Sequence, residues 1–82
     1  MERRELVRQR VLKAGKIAFG RAGIIDCSVR NLSDRGALLQ VESPLGIPDA
    51  FRLVIAPDPS ARRCRVVWRK EKQIGVEFLG DG

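Results

Sequence analysis

Two groups of side chains in this 82-residue chain have the types and spacing to hold an anion or a flat heterocycle. The first is Arg4-Glu-Leu-Val-Arg8. On a helical turn, residues i and i+4 point the same way; on a folded-over arm, the two guanidiniums could close around one ligand. A guanidinium is a planar fork suited to phosphate or to the O6 and N7 edge of guanine, and its face stacks on a base. The second group is Asn31-Leu-Ser33-Asp-Arg-Gly36. An Asn amide can match a purine edge, a Ser hydroxyl can hold backbone or ligand, and a glycine lets a backbone or ligand come close. Either group alone is weak. The plain alternative for residues 31–36 is a tight turn whose Asn and Ser are satisfied by their own backbone.

Catalysis is poorly served by these residues. The chain has no histidine and no tyrosine. Ser33 has no base to activate it, and a lone serine is not a nucleophile. The acids scatter over turns and outward strand positions, with no paired-carboxylate motif, so the expectation is a binding protein and not an enzyme. No cofactor is implied. Two isolated cysteines without histidine do not make a usual zinc site. Cys27 and Cys64 both fall on apolar alternating faces, which predicts buried free thiols.

These groups must be positioned by short strands. Residues 2–14 carry an incomplete apolar stripe (Leu6, Val7, Val11, Ala14), which leaves a marginal helical turn and an ordered arm both open. From Lys16 the apolar period becomes two. It predicts strands over Lys16–Phe19, Ile24–Leu32, Ala37–Val41, Phe51–Ile55, Arg63–Arg69 and Ile74–Phe78, separated by Gly- and Pro-marked turns. Six short strands in so small a chain favour one closed antiparallel β-barrel, because closure removes exposed edges. The division is an arginine-rich arm, residues 1–14, and a barrel, residues 15–80. On parity, Trp68 belongs in the core with Cys64 and Val66, while Arg63, Arg65 and Arg69 form an outward basic ladder.

Net charge is +6. The bases concentrate in residues 1–14 and 62–72, while the middle of the chain is mildly acidic. Such a field attracts phosphates. No secretory pattern follows Met1, and no apolar run approaches a membrane span, so a cytoplasmic protein is expected.

Taken together and in this order, the two groups resemble the PilZ domain family. Its pattern is Arg-x-x-x-Arg in an N-terminal arm, followed by Asp or Asn-x-Ser-x-x-Gly at a strand junction. The run Asn-Leu-Ser-Asp-Arg-Gly-Ala-Leu-Leu and the closing Val-Val-Trp and Ile-Gly-Val-Glu-Phe segments are also similar to that family. The resemblance implies an all-β, six-stranded barrel that acts as a receptor for the bacterial second messenger cyclic di-GMP. It implies that Arg4 and Arg8 serve as the arm arginines and that Asn31, Ser33 and Gly36 form the barrel half of the site. Asn31 stands where many members carry Asp. Arg3, Arg10, Arg30 and Arg35 are secondary candidates for ligand contact. On this reading the ligand orders the arm and creates a surface for a partner protein.

Two other readings share the sequence. One keeps the fold as a protein-interaction module without the ligand. The other is a small basic barrel that binds nucleic acid, but that mode calls for exposed aromatics, and parity sends at least three of the four aromatic residues inward.

Overall fold

The computed structural model describes residues 9–80. Within them lie six strands: β1 (Gln9–Phe19), β2 (Gly23–Leu32), β3 (Gly36–Gln40), β4 (Ala50–Ile55), β5 (Ala61–Lys70) and β6 (Gln73–Phe78). All pairings are antiparallel, and the sheet closes in the order β1-β2-β3-β6-β5-β4, with β4 returning to β1. The expected all-β six-stranded barrel is the fold observed.

Alternation is what makes these segments strands. Ile17, Val29, Leu39, Leu53, Cys64 and Ile74 project into the barrel and are fully buried. Each buried aliphatic side chain of this kind contributes about 1.5–3 kcal/mol relative to exposure. The long loop between β3 and β4 adds Ile47, which is buried with Val41 in the same cluster. Arg69 fastens that loop by donating to the Pro44 carbonyl at 2.9 Å and to Asp49 at 2.8 Å. The two thiols are free and buried. Burial pushes both up to about 11, so they are protonated and inert at neutral pH.

One boundary differs from the sequence reading. β1 begins at Gln9 and not at Lys16, so residues 9–14 are barrel wall and not arm. The reason is an irregular register between Arg10 and Lys13, which breaks the period-two pattern there. Gly15 is a buried strand residue paired with both Cys27 and Ile55.

Candidate functional site

Two β-bulges build the outer face on which the site lies. A bulge adds one residue to a strand, so the next side chain keeps to the face it would otherwise have left. On β2 the register against β3 shifts between Val29 and Asn31, with Arg30 as the extra residue. On β5 the register against β6 shifts between Val66 and Trp68, with Val67 as the extra residue. Strict alternation would send both Asn31 and Trp68 inward, along with Val29 and Val66. With the bulges both turn outward, and both enter one row across the sheet. Arg10 pairs with Asn31, Asn31 with Leu38, Leu38 with Gly75, and Gly75 with Trp68.

The core placement expected for Trp68 is therefore corrected. Its indole is 44% exposed, which makes it a group that a ligand can reach. It lies over Gly75, where an added Cβ would come within 2.3 Å of Nε1. Arg69 is exposed, but the same bulge takes it out of the row of Arg63 and Arg65. After the bulge Arg69 pairs with the inward Ile74, and its guanidinium turns to the β3–β4 loop.

Around the row is an open hollow of about 300 Å³, bordered by Asn31, the Ser33–Gly36 turn, Leu38, Trp68 and Glu77. A second hollow of about 300 Å³ adjoins it, lined by Arg10, Arg30, Asn31 and Leu38 among others. Asn31 and Leu38 are common to both. Each hollow lies at the lower end of small-ligand pocket sizes.

The motif residues divide in role. Ser33 is largely used by its own turn. Its Oγ accepts from the backbone N–H groups of Arg35 at 3.2 Å and Gly36 at 3.3 Å, and its own N–H donates to the Gly36 carbonyl at 3.0 Å. Gly36 is required by close packing, since a Cβ there would lie 2.1 Å from the Val76 carbonyl oxygen. Thus the Ser33 and Gly36 seen here build the turn's shape. Asn31 is different: it is half-buried, and among the described residues no hydrogen bond engages its amide.

Of the secondary candidates, Arg35 is exposed at the rim of the first hollow, and its carbonyl accepts from Phe78 N–H at 2.7 Å. Arg10 and Arg30 border the second hollow, and the Arg30 guanidinium also donates to Gln40. Arg3, Arg4 and Arg8 lie outside the described residues. Glu77, Leu38 and Val67 also border the hollow. The sequence carries them inside the runs similar to the PilZ family, but their outward parity gives them no role of their own, since many unrelated positions share it.

A model of the PilZ domain matches residues 2–81, nearly the whole chain. The chain belongs to the PilZ domain family. Comparison with curated proteins gives no match. PilZ domains are in general cyclic di-GMP receptors and typically act as binding modules, which agrees with the scarcity of catalytic groups in this one. The PilZ match also spans the arm residues from Glu2 onward. Among the described residues no group of His, Cys, Asp and Glu side chains could hold a metal ion, and no helix is long and apolar enough to cross a membrane.

Proposed function

We propose that this PilZ domain is a non-enzymatic cytoplasmic receptor that binds cyclic di-GMP on the outer face of β2, β3, β6 and β5. The observation that carries the reading is the meeting of Asn31, the Ser33–Gly36 turn and the exposed Trp68 around one hollow. Asn31 offers an amide to a base edge or ribose–phosphate. Trp68 offers an aromatic surface to a guanine, and Arg35 a charge to a phosphate. The adjoining hollow, with Arg10 and Arg30, suits the other half of a ligand that has two bases and two phosphates.

Connectivity supports the arm half. Gln9 pairs with Leu32, immediately beside Asn31 and Ser33. Arg8 is bonded to Gln9, and consecutive Cα atoms are about 3.8 Å apart, so Arg8 is within reach of the motif. Arg4 and Arg8 neutralise the phosphates and stack on or fork to guanine, and the ordered arm presents a surface to a partner protein. Ordering costs about 1–2 kcal/mol per backbone residue, so the charge-assisted contacts must exceed that sum. Binding is accordingly modest and salt-sensitive.

Titration calorimetry with cyclic di-GMP on the wild type and Arg8→Ala tests this, with an amide chemical-shift map of the same titration. The expected result is saturable binding that weakens in the variant, with shifts at residues 3–10, 30–37 and 67–77. Unchanged affinity in Arg8→Ala removes Arg8 from the site. No shifts at millimolar ligand would overturn the receptor reading in favour of an interaction module. Equal affinity for single-stranded DNA would favour the nucleic-acid reading.

A further inference from the structure

Among the described residues, Glu77 is the single carboxylate bordering the first hollow. It rises from the outer face of β6 two residues beyond Gly75, the residue that Trp68 covers. Two residues along a strand span about 7 Å. A flat purine resting against the indole would therefore turn one edge toward the carboxylate.

The carboxylate is also held in place. Arg65 donates to Glu77 Oε2 from Nε at 2.7 Å and again from Nη2. Both contacts go to one oxygen, which leaves Oε1 and its two lone pairs to accept two donors from a ligand. Charge-assisted hydrogen bonds of this kind fix the geometry of both partners. The other polar groups of the hollow are less suited to accept. Arg35 is a donor only. The Ser33 hydroxyl is used within its turn, and Asn31 presents an uncharged amide.

We propose that Glu77 is the residue that selects guanine over other bases, by accepting hydrogen bonds from N1–H and the 2-amino group. This inference rests on the cyclic di-GMP reading above. Guanine presents those two donors side by side on one edge. Adenine presents a lone pair at N1 and no 2-amino group, so a carboxylate attracts the first base and repels the second. Hypoxanthine keeps N1–H and lacks the amino group, and so falls between them. Selection by an unpaired or repelled group is the general means by which a site rejects a near-isostere.

The test is calorimetry with three ligands that share the same sugar–phosphate ring: cyclic di-GMP, its inosine analogue and cyclic di-AMP. Phosphate contributions are common to all three, so ratios report the base edge. Wild type should bind the guanine form best, the inosine form next and the adenine form least. The guanine-to-adenine ratio should be roughly 5- to 100-fold, the range expected for a two-point base contact. In Glu77→Gln the guanine-to-inosine ratio should fall to within about twofold. Arg65→Gln, which frees the carboxylate to move, should lower the ratio less than Glu77→Gln does.

If wild type binds cyclic di-GMP and Glu77→Gln keeps the full ratio, the assignment of Glu77 is overturned and the receptor reading stands. If wild type binds none of the three ligands, the receptor reading falls and this inference with it. The inosine analogue also tests the wild type without any variant, and equal affinity for the inosine and guanine forms would overturn the proposal.

Discussion

The two sides of the hollow differ in how their side chains are used. On one side are Asn31, near the end of β2, and the Ser33–Gly36 turn that follows it. Its Ser33 hydroxyl bonds to the backbone of its own loop, and its Gly36 packs against β6. On the other side are β5 and β6. There Trp68 stands exposed over Gly75, and Glu77 is held by Arg65. The turn carries the more distinctive sequence, yet two of its three motif residues maintain shape. The β5–β6 side carries little sequence signal, yet it presents an aromatic ring and an oriented charge to the outside. A motif can be diagnostic because a site needs its shape, while part of the chemistry comes from elsewhere on the barrel.

This contrast predicts that the turn governs stability and the opposite wall governs affinity. The largest expected effect is from Gly36→Ala. The added Cβ meets backbone, which has no rotamer to escape into. A loss of about 3 kcal/mol is expected, or roughly 12–24 °C in the thermal midpoint of a domain this size. An unchanged melting curve would show that the turn does not govern stability.

Trp68→Ala should do the reverse. It should weaken cyclic di-GMP by about 1–3 kcal/mol, the usual worth of a base–aromatic stack, while the melting curve moves much less. Equal loss of stability and affinity would mean that the ring packs more than it binds.

Ser33→Ala should cost about 1 kcal/mol of stability by leaving the N–H groups of residues 35 and 36 without their acceptor. Chemical denaturation reads this directly. Any loss of ligand affinity should follow from the loosened turn, so Ser33→Thr should restore most of it.

Gly75→Ala should behave differently from Gly36→Ala, because the new Cβ here meets a side chain that can swing away. Less than about 1 kcal/mol of stability should be lost. The tryptophan emission should shift all the same, and affinity should fall with it.

The last test should not separate the two sides. Cys27 on β2 and Cys64 on β5 both have thiols raised by burial from 9.0 to about 11. The folded state therefore holds its thiol protons more tightly than the unfolded chain. That contribution is fully present below pH 9 and is lost as pH rises through about 11. Urea midpoints measured across this window should fall with rising pH, and Cys64→Ala should flatten part of the slope.

Much of the fold was legible because alternation is a local property. Ile17, Leu39, Leu53 and Ile74 sit inward as their parity demands. The turn between β2 and β3 is shorter than its polar residues and glycine predict, since Asn31 and Leu32 are still in β2 and Gly36 opens β3, and closure follows from six short strands that need their edges covered. Trp68 departs from simple parity, and Arg69 leaves the row of Arg63 and Arg65, because Val67 is an extra residue. β1 starts earlier than alternation predicts because the pattern breaks between Arg10 and Lys13.

Residue types and their alternation suffice for an all-β barrel, the inward face of most strands, the site's turn and a chain without histidine chemistry. Which residues stand beside that turn follows instead from strand pairing, through the two bulges. Arg30 and Val67 are ordinary strand residues, and nothing in their type marks them as extra. Their place is set by how the ladders on either side register, which depends on pairing between segments far apart in the chain. Those two extra residues turn Asn31 and Trp68 outward into one row and so assemble a site that a straight period-two reading leaves half inside the core.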